Sequence, residues 1–192
     1  MGQEFELKFA ASEAQQDAIF TLHGPWEKIE METTYFDTPS RAFSSRHITA
    51  RRRMENGISI CTIKTPMPDG ARGEWECECD DLAQAFDALC KLGLPKAVAE
   101  LAQEGLVAVC GARFTRHACH LALDGATAEL ALDRGVLLGG GREIPLCEVE
   151  VELKSGSRKA VTAFAAALAE KHCLVAEHKS KFRRAMLLAE GE

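Results

Sequence analysis

The sequence predicts an α+β domain built around an antiparallel sheet or barrel, with helices placed between groups of strands. Two observations carry that expectation. About eight short segments alternate polar and apolar residues with the two-residue period of a half-buried strand. Other segments open on a Ser or Asp cap and carry apolar residues at helical spacing. No repeat, linker or low-complexity tract divides the 192 residues, a length that suits one sizeable core.

The first strand is "QEFELKF", which puts Glu4, Glu6 and Lys8 on one face and Phe5, Leu7 and Phe9 on the other. Ser12 caps a helix to Leu22, with Ala14, Ala18, Ile19 and Leu22 on one side. Thr33–Phe36 is extended and runs into the turn "DTPS". His47–Arg53 and Gly57–Lys64 form two strands joined around "ENG"; "TPMPDGARG" is a loop and "EWECECD" a further strand. Asp81–Leu92 is a helix stopped by Gly93, and a short helix runs from Pro95 to about Gln103. Four strands follow, Val107–Cys110, Phe114–Leu123, Ala128–Asp133 and Pro145–Leu153, with "DGA" and "GGG" as turns. Ser157 caps a long helix to Lys171, and Ser180–Leu188 is the last helical segment.

Composition narrows the function. A hydrophobic fraction of 46% with 27% charged residues is that of an ordinary globular domain. No export signal and no apolar run of membrane length is present, so a cytoplasmic protein without a membrane partner is expected. The net charge of −6 argues against nucleic acid as a partner. None of the eight cysteines forms a C-x-x-C pair, so reduced thiols packed as small hydrophobes are expected rather than a zinc site. His117 and His120 lack a base–nucleophile partner, and Trp26 and Trp75 read as packing residues.

The polar rows of the strands are unusual. Arg51 and Arg53 share a face, as do Thr62 and Lys64; Glu74, Glu76 and Glu78 share another. Glu129 lines up with Asp133, and Glu148, Glu150 and Glu152 form an acidic row opposite Val149, Val151 and Leu153. Basic and acidic strands are segregated, and three carboxylates in a row repel one another unless a cation sits among them. A charged lumen and a solvated face both fit this pattern.

The ordered set "EFELK", "YFDTP", "ARRR", "TIK", "RGEWE", "FTR", "AELALDRG", "CEVEVELKSG" and "SKFRR" resembles the CYTH superfamily, the triphosphate tunnel metalloenzymes, and within it the bacterial inorganic triphosphatases. The resemblance spans Glu4 to Arg184 and implies an eight-stranded antiparallel β-barrel, a tunnel with flanking helices, and thus a polar interior. It implies one CYTH domain over residues 1–192 with no CHAD domain after it. An Ala precedes Arg51 where the family has Leu, with the extra Arg52 facing outward, and "AMLL" follows "SKFRR" instead of a Gly-Tyr pair.

The implied substrate-binding set is Lys8, Arg51, Arg53, Lys64, Arg113, Arg116, Lys181 and Arg184, with Arg72 and Arg113 weaker members, since three residues from Arg116 a regular strand would point Arg113 the other way. Polyanion oxygens need such donors at fixed positions. The implied ligands of Mg2+ or Mn2+ are Glu4, Glu6, Glu148, Glu150 and Glu152, and the implied catalytic residues are Glu4, Glu6, Lys8, Glu148 and Glu150. The implied activity is metal-dependent cleavage of the terminal phosphoanhydride of a triphosphate, a small-molecule partner, with the inorganic ion preferred. A class IV adenylyl cyclase, a thiamine triphosphatase and a non-catalytic triphosphate- or polyphosphate-binding module stay open, as does a homodimer. The sequence has one Tyr and two Trp and shows no aromatic cluster beside the Arg strands, so a base-binding pocket is not expected.

Overall fold

A computed structural model of the chain describes residues 5–67 and 72–191. Nine antiparallel strands, in the order β5-β4-β3-β2-β6-β7-β8-β1-β9, form one sheet. They are β1 (Glu6–Ala10), β2 (Glu27–Asp37), β3 (Thr49–Glu55), β4 (Ile58–Pro66), β5 (Arg72–Glu78), β6 (Val107–Leu123), β7 (Ala126–Gly139), β8 (Arg142–Gly156) and the two-residue β9 (Val175–Ala176). The eight strands that the resemblance implies are present with β9 added at the edge, and among the described residues no hydrogen-bonded ladder joins β5 to β9. The sheet curls without closing.

The helices are α1 (Glu13–Phe20), α2 (Leu82–Lys91), α3 (Lys96–Leu101), α4 (Arg158–His172) and α5 (Lys181–Glu190). Four of the helix starts follow their sequence signals. Ser12 and Gln15 make a reciprocal capping box on α1, and Asp81, Ser157 and Ser180 each accept a backbone N–H at the starts of α2, α4 and α5.

Alternation along each strand sorts residues between two faces. On the convex face, Phe9, Leu130, Leu132, Val149 and Val151 pack beneath α1 and α4 with Ile19, Val161 and Leu168. Ala50, Cys61, Ile63 and Trp75 pack beneath α2 and α3 with Leu82, Phe86 and Leu89. Cys77, Cys79 and Cys90 join that second cluster, the packing role expected of the thiols. Arg52 also turns outward and donates to the Asp80 carbonyl.

α5 lies on the other side. A third apolar cluster joins its Ala185 to Met31, Ala112, Phe114, Leu137 and Leu146, inward residues of β2, β6, β7 and β8. Gly139 permits this approach, since a Cβ there would meet the Ala185 carbonyl at 2.4 Å. The helix therefore stoppers one end of the concave face and delivers its first residue, Lys181, into the interior.

Several strands exceed their sequence signals. β2 extends far beyond Thr33–Phe36, and β6 merges the two segments expected at Val107–Cys110 and Phe114–Leu123. Gly111 reads as a break but sits inside β6, where a Cβ would lie 2.7 Å from the Thr33 carbonyl. β7 and β8 form a long hairpin turned by Gly140 and Gly141, both at positive φ.

Candidate active site

The curled sheet encloses a cavity of about 750 Å3 on its concave side. Its wall draws from β1 through β8 and from the residues that open α5. The charged face of "FELK" therefore belongs to the interior: Glu6 and Lys8 both line the cavity. Glu4 lies outside the described residues.

One side of the cavity is cationic. Arg51 and Arg53 come from β3, Lys64 from β4 and Arg72 from the start of β5. Arg51 and Lys64 share Glu74, at 3.8 and 3.2 Å, and Arg53 pairs with Glu55. The Nε atoms of Arg51 and Arg53, and the Thr62 hydroxyl between them and β5, are buried without a hydrogen-bond partner. Burial, then the neighbouring Arg51, pushes the Arg53 guanidinium below its ordinary pKa. An anion placed here would supply the missing acceptors and relieve the like-charge repulsion.

The other side is acidic. Register sets Glu6 opposite Glu152 and Lys8 opposite Glu150 between β1 and β8, while Glu129 of β7 faces Glu152. Lys8 reaches Glu6 at 3.2 Å, and Lys154 reaches Glu152 at 2.8 Å and Glu129 at 3.5 Å.

Beneath this wall lies a buried charge cluster. Asp133 and Glu148 are wholly buried, and neither lines the cavity. Arg116 forks onto Asp133, Nε at 2.7 Å and Nη2 at 2.8 Å, and Nη2 also bonds Glu150. The Lys181 ammonium reaches Asp133 at 2.8 Å and Glu150 at 2.7 Å and contacts Glu148; Arg184 closes the far side of Glu148. Burial alone would raise the Glu150 carboxyl, but Lys181 and Arg116 outweigh it and hold it far below the usual range. Burial would likewise lower Lys181, and the three carboxylates hold it well above an ordinary lysine.

These contacts sort the expected metal ligands. The oxygens of Asp133, Glu148 and Glu150 lie close enough together to hold a metal ion, but the Lys181 ammonium already sits among them. Glu6 and Glu152 form a second carboxylate pair, each already within reach of a lysine, Lys8 at 3.2 Å and Lys154 at 2.8 Å. They are like charges set directly opposite, which destabilises a sheet without a cation between them. Their side chains are open to the cavity, 30% and 31% exposed. An oxygen-only donor set that leaves room for water suits a hard divalent cation.

Three of the expected site residues lie off the cavity wall. Glu148 does not reach the cavity, because Lys181 and Arg184 occupy both its oxygens. Arg184 likewise turns to Glu148 and Glu177 and away from the cavity wall. Arg113 points to the opposite face, 61% exposed and paired with Glu143, as its odd spacing from Arg116 requires. One carboxylate and three aromatics were missed. Asp133 shared a face with Glu129, but nothing marked it as the partner of both Arg116 and Lys181. Tyr35, Phe114 and Phe182 come from three separate elements to line the cavity, Tyr35 and Phe182 with ring centroids 5.1 Å apart. Only folding brings those aromatics together.

A curled antiparallel sheet with helices outside, one helix as stopper and an interior holding charges of both signs defines a charged-tunnel class of protein. The chain belongs to the CYTH family: the CYTH domain matches residues 2–186. It is 26% identical to the inorganic triphosphatase of Haemophilus influenzae over 98% of this chain and 55% of that protein, so it spans about half the relative's length. Among solved structures it resembles a Hippeastrum protein described as a proposed adenylyl cyclase with a dominant triphosphatase activity, at TM-score 0.69 and 16% identity over 100% of this chain and 97% of that one. It also resembles the PH1819 protein of Pyrococcus horikoshii, at TM-score 0.63 and 23% identity over 98% and 99% of the two chains. These likenesses at low identity establish the fold.

Proposed function

We propose that the cavity binds a linear triphosphate and that the protein hydrolyses its terminal phosphoanhydride with a divalent metal ion, inorganic triphosphate being preferred. The observation that carries this reading is the cationic wall of Arg51, Arg53 and Lys64, in which the buried Nε atoms of the two arginines lack a hydrogen-bond partner, together with a carboxylate wall lining the same cavity. The Haemophilus relative's name agrees with it.

Arg51, Arg53, Lys64 and the free edge of Arg116 hold the phosphate chain in line and offset charge that builds on it in the transition state. Lys8, opposite Glu150, is a cation set within the acidic wall. Glu6 and Glu152 are the residues that would hold Mg2+ or Mn2+, with Glu150 able to join them only by giving up a contact to Lys181 or Arg116; the ion would supply Lewis-acid neutralisation of phosphate oxygens. Glu129 and Glu152 are the cavity carboxylates placed to orient a water. Tyr35, Phe114 and Phe182 favour a second reading, in which a nucleoside triphosphate places its base on the aromatics; this agrees with the Hippeastrum description as a proposed cyclase.

The test is phosphate release from inorganic triphosphate with Mg2+ or Mn2+, with and without chelator. Release that stops on chelation is expected. Tight triphosphate binding that survives chelation, with no product over hours, would establish a binding module instead.

A further inference from the structure

We propose that Asp133 is a positioning residue for turnover, acting through Arg116 and Lys181. The inference rests on reading the cavity as a triphosphate site. Asp133 cannot touch a substrate there, because it is wholly buried and does not line the cavity.

Its oxygens are nevertheless committed to two cavity cations from different elements. Arg116 of β6 gives it Nε and Nη2, which fixes the plane of the guanidinium and leaves Nη1 as the inward edge, 3.9 Å from Glu129. Lys181, at the head of α5, lies 2.8 Å away. Glu150 also bridges both cations, but it lines the cavity and so can exchange those contacts for others. Asp133 has no such alternative.

The backbone beneath it is fastened as well. Gln16 of α1, itself buried, donates its Nε2 to the carbonyls of Asp133 (2.9 Å) and Glu148 (2.7 Å), and its Oε1 accepts from Arg134 (3.0 Å). The carboxylate therefore has a fixed origin and can set where two mutually repelling cations sit. Removing its charge leaves both cations present, less neutralised and free to separate. The substrate would still be held, but out of line with attack, where a displacement of about 1 Å can cost about a hundredfold.

The experiment compares wild type with Asp133→Asn and Asp133→Glu, measuring kcat and KM for inorganic triphosphate with Mg2+. Triphosphate affinity in EDTA is measured by calorimetry, and thermal denaturation checks folding. For Asp133→Asn, kcat should fall tenfold or more, KM should move less than threefold, and metal-free affinity should be no weaker than wild type. The Glu variant keeps the charge but shifts both cations, so its kcat should also fall while the fold stays intact. A folded Asn variant with wild-type kcat overturns the proposal. So does a parallel collapse of kcat and affinity, which would mark a structural support. If the Asn variant does not fold, a folded Glu variant with wild-type kcat overturns it. Absence of hydrolysis by the wild type would instead overturn the reading of the site.

Discussion

At the residue scale, the parity of a strand decides which charges matter. Arg51, Arg53 and Lys64 lie inward on β3 and β4 and Arg113 outward on β6, as its three-residue spacing from Arg116 implies. Lys64→Ala or Arg53→Ala should raise KM and lower turnover. A lost charge-assisted hydrogen bond costs roughly 1.5–3 kcal/mol, or roughly ten- to a hundredfold in kcat/KM. Glu6→Gln should abolish turnover while triphosphate affinity in EDTA is largely kept, and Arg113→Ala should change neither. Steady-state kinetics with calorimetry on these variants checks the set; equal small losses from all would mean that the inward charges do not hold substrate. The inward rows were legible because an alternating charged strand needs no tertiary information. The engagement of Glu148 by Lys181 and Arg184 was not, since it depends on where a helix distant in sequence comes to rest.

At the element scale, the helices show what apolar periodicity misses. Helix α1 was expected to bury Ala14, Ala18, Ile19 and Leu22, yet it buries Gln16 and Ile19 while Leu22 is 53% exposed. Gln16 is inside because two buried backbone carbonyls, of Asp133 and Glu148, need its carboxamide, a demand set by β7 and β8 and invisible in α1 itself. Strand lengths were underestimated for a similar reason: glycines that look like breaks are close approaches between backbones. Gly139 is the clearest case, because α5 rests directly on it. Gly139→Ala should push α5 off the sheet and cost roughly 1–3 kcal/mol, the usual penalty for overpacking. A lowered Tm accompanied by a kcat loss is expected, because Lys181 rides on the displaced helix; thermal denaturation and kinetics read the two effects, and a lower Tm with unchanged kcat would show that Lys181 keeps its place by its ion pairs alone.

At the scale of the whole molecule, the curl of the sheet makes one site from residues that no sequence window connects. Edge-side Glu74 on β5 and Glu6 on β1 line the same cavity although six strands lie between β5 and β1 in the sheet order. The family's signature segments made the curl legible; the open hydrogen bonding between the edges and the aromatic trio were not. That trio bears on substrate choice. The phosphates are gripped by charges from both walls, so a pyrophosphate, which reaches fewer of them, should be a poor substrate. An attached group gains only if Tyr35, Phe114 and Phe182 receive it. Each has a competing commitment: Tyr35 is buried and packs on Phe182, and Phe114 lies 5.4 Å beneath the Lys181 ammonium. Stacking of a base is worth roughly 1–3 kcal/mol where a ring is free to accept it, and these rings would first have to part. Inorganic triphosphate should therefore lead ATP and thiamine triphosphate in kcat/KM at one fixed metal concentration, with pyrophosphate last. If ATP leads instead and its product is cyclic AMP with pyrophosphate, the aromatics are a base site and the cyclase reading replaces the hydrolase.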